Sequence, residues 1–164
     1  MKVYFAADHA GFELKSALLN FVRGNMGFEV EDCGASTIVP SDDYPEIIAR
    51  AAKKLAADAG KGLDSRAVLI GASGQGEAMA ANRFAGVRCA LYYGPAGRTQ
   101  KDLSGHTLSM IASTREHNNA NAVSFGARFI STDEAIDVVK IWLETGFSGN
   151  SRHSRRNQQL DEIT

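Results

Sequence analysis

Four short stretches of the chain carry side chains able to move protons or bind an anion. The first is Asp8-His9-Ala10-Gly11. Imidazole titrates near neutral pH, so His9 can serve as acid or base, and an adjacent carboxylate can orient it. Equally, Asp8 can cap a following helix and leave His9 in solvent. The second is Gly71-Ala72-Ser73-Gly74-Gln75-Gly76-Glu77. Glycines let successive amides converge and a helix starting there adds its positive end, so the loop suits a phosphate or an enolate-like oxyanion. Glu77 is then either a proton-transferring carboxylate beside that nest or a favourable charge at a helix start, worth about 0.3–1 kcal/mol. The third stretch, Arg115-Glu116-His117-Asn118-Asn119-Ala120-Asn121, is densely polar and also reads as a solvated loop with asparagine turns. The fourth is Arg152-His153-Ser154-Arg155-Arg156. On a helix Arg152 and Arg156 share one face and make a fork for a phosphate; otherwise they form a basic tail.

Several common motifs are missing. The glycine spacing is not G-x-G-x-x-G, no Gly-Lys-Ser/Thr follows, and Gln75 stands where a G-x-S-x-G elbow needs glycine. Dinucleotide, nucleoside-triphosphate and serine-hydrolase chemistry are therefore not expected. His9, His117 and His153 lie in the polar stretches without the spacing of a ligand array, and Cys33 and Cys89 make no zinc pair, so no metal is expected.

The elements that must position these residues alternate. Lys2 to Ala7 reads as a buried strand, and Phe12 to Arg23 as a helix with Leu14, Leu18, Leu19 and Val22 on one face. Phe28 to Cys33 is a second strand, and an Ala-rich helix runs from Glu46 to about Asp58. Arg66 to Ile70, Arg88 to Tyr93 and Ala122 to Phe125 are further strands. Glu77 to Arg83 is helical, as is Asp133 to Thr145 with Ile136, Val139, Ile141, Trp142 and Leu143. This βαβ order predicts one α/β domain over 1–164, with a five-stranded parallel sheet, helices on both faces and ligands at the carboxyl ends of strands. Gly94 to about Ser109 reads as a long active-site or interface loop, and 151–164 as a polar segment at the site or at a subunit interface.

Composition narrows the class. In 164 residues, 18 basic and 19 acidic side chains leave a formal net charge of −1, which gives no bulk attraction to nucleic acid or a membrane surface. No apolar run approaches the roughly 18–20 residues that span a bilayer. The start, Val3-Tyr4-Phe5-Ala6-Ala7, lacks the form of a secretion signal, and two cysteines cannot build a disulfide framework. A cytoplasmic protein is expected, with a small molecule as its partner.

Taken together, Asp8-His9-Ala10-Gly11, Asp43-Tyr44-Pro45, the glycine loop leading to Ala80-Ala81-Asn82-Arg83, His117-Asn118-Asn119-Ala120-Asn121, Phe125-Gly126-Ala127-Arg128, and Arg152-His153 with Arg156 occur in this order. As a set, from Met1 to about Asn157, they resemble the ribose-5-phosphate isomerase B family, which includes the galactose-6-phosphate isomerase subunits. The resemblance implies a Rossmann-like three-layer α/β/α sandwich, a homodimer sometimes paired into tetramers, and active sites that draw on both chains. It implies aldose–ketose isomerisation of ribose 5-phosphate and ribulose 5-phosphate through an enediol(ate), with no metal or cofactor.

Many members carry a cysteine base at the position of Gly71, in a loop reading roughly Cys-Gly-Thr-Gly. A second branch lacks it and has a glutamate where Glu77 stands. By that resemblance Glu77 is the base, Ser73 its orienting hydroxyl, and Asp8 and His117 the residues of ring opening and hydroxyl protonation. His9, Arg128, Arg152 and Arg156 match phosphate ligands, with Arg128 reaching across the dimer; Asn118 and Tyr44 match sugar-hydroxyl contacts. The backbone from Gly74 through Gly76 to Glu77 can supply oxyanion donors. The 94–114 stretch, with Arg98, Lys101 and His106, departs from the family and bears on which sugar fits. Isomerisation of a tetrose or hexose phosphate, and a non-catalytic sugar-phosphate binder, are the alternatives. The joint presence of Glu77, Ser73, Asp8 and His117 favours an enzyme over the last of these.

Overall fold

The computed structural model describes residues 1–95, 97, 100–101 and 105–163; Arg98 lies outside them. Strands β1 (Lys2–Ala7), β2 (Glu29–Asp32), β3 (Arg66–Gly71), β4 (Cys89–Tyr92) and β7 (Ala122–Gly126) form one parallel sheet in the order β2-β1-β3-β7-β4. A separate antiparallel pair joins β5 (Gln100–Lys101) to β6 (Thr107–Leu108). The helices are α1 (Phe12–Asn25), α2 (Tyr44–Gly60), α3 (Gln75–Ala81), α4 (Met110–Glu116), α5 (Thr132–Glu144) and α6 (Ser151–Asp161).

Alternation along each strand splits the core into two layers. Val3, Phe5 and Ala7 of β1 pack with Leu14, Leu18 and Val22 of α1 and Val139 and Trp142 of α5. Tyr4 and Ala6 face the other way, onto Ile47, Ile48, Ala51 and Leu55 of α2 and Ala81 of α3. The expected three-layer α/β/α sandwich is therefore the observed one. Pro45 in the first turn starts α2 two residues before the sequence expectation, because proline's fixed φ suits that turn and its missing N–H loses no bond there.

Two details go beyond the sequence expectation. Ile141 is 44% exposed, while Ala135 and Val138 complete the buried stripe of α5; the 3.6-residue period carries Ile141 past the edge of the apolar face. Residues 110–116, read with the polar loops, form α4, capped by Ser109 Oγ accepting the Ala112 amide at 3.5 Å. The Ser109 cap was the available sequence signal for this helix.

Candidate active site

The crossover from β1 to β2 places α1 on one face, and the crossover from β2 to β3 places α2 on the other. The carboxyl ends of β1 and β3 therefore meet at a topological switch point, the place where such sheets open a crevice. Asp8-His9 leaves β1 there, and the glycine loop leaves β3.

Asp8 caps the short turn after β1, its Oδ1 accepting the Ala10 amide at 3.0 Å and the Gly11 amide at 3.3 Å. His9 is oriented by a different residue from the neighbour suggested by sequence. Its Nδ1 lies 2.5 Å from Asp42 Oδ1, and its backbone amide donates to the same oxygen at 3.3 Å. Asp42 went unnoticed in the sequence because it stands 33 residues away in a loop, beside a motif that drew attention to Asp43 and Tyr44. Asp8, His9 and Asp42 each offer a ligand atom, all within 4.8 Å of one another, so the fold assembles a set able to hold a cation that residue spacing could not reveal.

The glycine loop has its own scaffold. The end of β7 holds it through Ala127 N–H to Gly71 C=O at 2.9 Å, Arg128 N–H to Ala72 C=O at 3.1 Å, and the buried Ser124 hydroxyl to Gly74 C=O at 2.8 Å. Gly74 adopts φ +74°, where a side chain would be strained. Gly76 lies so close to the Tyr44 ring that a Cβ would come within 2.6 Å of its hydroxyl. Ser124 and the 125–128 backbone were not read as parts of the site's frame, since nothing in their local sequence says what they touch.

Glu77, 4% exposed, points back from α3 into the space beside Gly71; a Cβ at Gly71 would overlap its carboxyl group. Burial pushes the Glu77 carboxyl above the usual range, opposed by its own backbone amide and reinforced by the charge of Asp8. Desolvation therefore outweighs the pull of the helix start at this carboxyl. Ser73 Oγ accepts the Gln75 amide at 3.3 Å, and among the described residues this is the bond it makes, so the orienting bond to Glu77 is not formed here. A short side chain in a tight turn reaches the nearest free amide first. Neither cysteine competes as a base: burial raises the Cys33 thiol to about 11 and pushes Cys89 up as well.

The other expected site residues lie elsewhere. Strand register pairs Ala67 with Ala122 and Gly71 with Gly126. His117 and Asn118, just before β7, therefore stand at the amino edge of the sheet, separated from the glycine loop by the strand length. Four residues at roughly 3.3 Å each make that about 13 Å. His117 stacks on His153 of α6 with ring centroids 4.3 Å apart, and Asn157 donates to the His117 carbonyl at 3.2 Å. Arg88 fastens the arrangement, donating to Asp161 Oδ1 at 2.7 Å and to the Asn118 carbonyl at 3.1 Å. Arg152 and Arg156 are exposed on α6, which Asn150 caps. A cavity of about 490 Å³ opens here, lined by His117, Asn118, His153, Arg156, Asn157 and Leu160. Arg115 belongs to the frame: it is buried, reaches the Thr145 and Ala120 carbonyls and lies over Trp142.

One chain thus divides the expected constellation. Asp8, His9, Tyr44, Ser73, Gly74, Gly76, Glu77 and the backbone of Arg128 sit at the carboxyl edge; His117, Asn118, Arg152 and Arg156 sit at the amino edge. The backbone of Arg128 stands beside its own chain's glycine loop, bonded to the Ala72 carbonyl.

The fold and the carboxyl-edge cluster define a doubly wound α/β protein with a buried carboxylate and a glycine-rich loop at its switch point. A family model described as Ribose/Galactose Isomerase matches residues 3–160, and the chain belongs to that family. It is 37% identical over 162 residues to ribose-5-phosphate isomerase B of Mycobacterium tuberculosis, covering 99% of this chain and 89% of that protein. Solved structures agree. The Mycoplasma genitalium ribose-5-phosphate isomerase B with bound ribulose-5-phosphate matches with TM-score 0.81 at 29% identity, covering 98% of this chain and 93% of that one. The Thermotoga maritima ribose 5-phosphate isomerase matches with TM-score 0.78 at 36% identity, covering 99% and 98%. Among the described residues no helix is long and apolar enough to cross a membrane.

Proposed function

We propose that this protein interconverts ribose 5-phosphate and ribulose 5-phosphate, with Glu77 moving the proton between the two carbons. The observation that carries the reading is the Glu77 carboxyl, buried against Gly71 at the switch point between Asp8-His9 and the glycine loop. Glu77 takes the proton from C2 of the open-chain aldose and returns it to C1 of the enediolate, so one carboxylate serves both half-reactions on one face. Its raised proton affinity suits this work better than that of an ordinary surface glutamate. Of the loop amides, Gln75 is engaged by Ser73 and Glu77 by its own carboxyl, so Gly74 and Gly76 are the candidates for the enediolate oxygen.

The reading includes a second copy of the chain. His117, Asn118, Arg152 and Arg156 of one protomer would complete the site formed by Asp8, His9 and Glu77 of its partner. The opposite sheet edges on which these groups stand support this, since no single chain brings them together. Mixing a Glu77→Gln preparation with a His117→Ala preparation, after subunit exchange, should restore turnover that neither has alone; mixtures as inactive as their parts would mean each site is built within one chain.

The direct test is ketose formation from ribose 5-phosphate with a chelator present. Turnover is expected, and faster than with a tetrose or hexose phosphate. Binding of these sugars without turnover would point to a non-catalytic role, and preference for allose 6-phosphate to a hexose enzyme. Arg156→Ala should raise KM roughly 10- to 150-fold, the equivalent of about 1.5–3 kcal/mol for a charge-assisted contact. An unchanged KM would return α6 to the status of a solvated basic helix.

A further inference from the structure

We propose that Asp42 is the positioning residue for His9, fixing which imidazole nitrogen meets the substrate phosphate. The proposal rests on the reading that His9 is a phosphate ligand. Asp8, the neighbour in sequence, caps the Ala10 and Gly11 amides through Oδ1, and among the described residues the carboxylate bonded to the His9 ring is that of Asp42. Asp42 Oδ1 instead holds His9 at two points, the ring Nδ1 at 2.5 Å and the backbone amide at 3.3 Å. A carboxylate only accepts, so the ring proton sits on Nδ1 and Nε2 is the nitrogen left for a ligand. The backbone bond fixes the oxygen beside His9, and the bond to Nδ1 then opposes the ring flip that would exchange the two nitrogens. Asp42 Oδ2 is buried and among the described residues has no hydrogen-bond partner, so the carboxylate has little else to bond than His9.

The loop that carries Asp42 is itself fastened. Cys33 N–H donates to Phe5 C=O at 2.7 Å and Ala35 N–H to Ala7 C=O at 3.1 Å, which extends the β1–β2 pairing up to Asp8. The Lys15 ammonium, on a side chain only 1% exposed, binds Asp32 at 2.7 and 2.9 Å and the Ala35 carbonyl at 2.8 Å. Asp42 N–H closes the far end on Val39 C=O at 3.0 Å. A carboxylate on so anchored a loop can impose an orientation on His9, where one on a free loop would follow it.

The experiment compares wild type, Asp42→Ala, Asp42→Asn, His9→Ala and the His9→Ala, Asp42→Ala double variant. Each is measured for kcat and KM with ribose 5-phosphate and for affinity of inorganic phosphate by calorimetry. Asp42→Ala should weaken phosphate about tenfold and raise KM correspondingly, with most of the loss in KM rather than kcat. Asp42→Asn keeps an acceptor for Nδ1–H and should recover much of that loss; asparagine as weak as alanine overturns the orienting role. In the His9→Ala background, removing Asp42 should add nothing. An equal loss in both backgrounds overturns the proposal while leaving the phosphate reading intact. A His9→Ala protein with unimpaired phosphate affinity defeats the phosphate reading, and the proposal with it. Should Asp42→Ala not fold, Asp42→Leu, which is close in size and has no acceptor for Nδ1–H, carries the same cycle. The imidazole Nδ1 proton provides a readout independent of ligand: a far-downfield proton resonance should be present in wild type and lost in both His9→Ala and Asp42→Ala. Its persistence in Asp42→Ala would overturn the assignment.

Discussion

Glu77→Gln is expected to lower kcat by about 10²–10⁴-fold, the usual range for removing a general base, while phosphate affinity is kept. Glutamine preserves the shape of the side chain in its buried slot beside Gly71 but cannot take up the C2 proton. Stability should move the other way. The folded state holds the Glu77 proton more tightly than the unfolded chain does, because burial disfavours the ionised carboxyl. The associated stabilisation is present in acid and is lost as pH rises through the raised folded pKa. At neutral pH, where the ionised group opposes folding, the Gln variant should therefore melt at or above the wild-type temperature, and the gap should close as pH is lowered. In the wild type, kcat should fall on acidification at a higher pH than an unperturbed glutamate would give. A Gln variant with near-wild-type turnover would remove Glu77 from the chemistry; one that is both inactive and much less stable would make its role structural.

The second large effect is expected from the smallest substitution. Gly71→Ala adds one methyl group, and that methyl would occupy the volume of the Glu77 carboxyl. The backbone at Gly71 does not have a left-handed φ, so alanine fits the strand end without strain. The obstacle is the tip of a flexible side chain, which can swing away, so the fold should persist with little change in melting temperature. The carboxyl, however, leaves its position. Misplacement of a reacting group by about 1 Å can cost 10²-fold, and a loss of at least that order in kcat is expected here. Retained activity in Gly71→Ala would show that Glu77 acts from another rotamer than the buried one. The shared volume also has a constructive test. A thiol introduced by Gly71→Cys in the Glu77→Ala background would stand where the carboxylate stood, and turnover above that of Glu77→Ala alone is the expected result.

These expectations draw on different levels of the molecule. Periodicity and punctuation were enough to place the five strands of the parallel sheet and the main helices, whereas the β5–β6 pair lies in the stretch read as a loop. β3 and β7 are short, wholly buried runs, β1 is buried from Val3 onward, and α1, α2 and α5 each carry an apolar stripe at helical spacing. The candidate groups were legible for a related reason: Asp8-His9 and the 71–77 loop follow buried strands directly, so their place at the carboxyl ends comes with the strand assignment. Family resemblance in the same residues then supplied their roles. Helix α4 was harder to see, because its seven residues include four buried or half-buried polar side chains, Ser113, Thr114, Arg115 and Glu116, that blur an apolar stripe.

Contacts between distant segments could not be read in this way. Asp42 meets His9 across 33 residues, Ser124 holds Gly74 across 50, and Arg88 reaches Asp161 across 73. No local pattern encodes such pairs, since hydrogen-bond partners in a doubly wound fold are chosen by which loops the sheet order brings together. The same cause divided the constellation. Along the chain, Asp8, Glu77, His117 and Arg156 look like members of one set. The parallel register of β3 and β7 sends the first two to one edge of the sheet and the last two to the other. The types of the reactive groups were written in the sequence, but their distribution over the two edges was decided by strand direction. A parallel strand must begin at one edge of the sheet and end at the other, so residues just before a strand and those just after it are held a strand length apart.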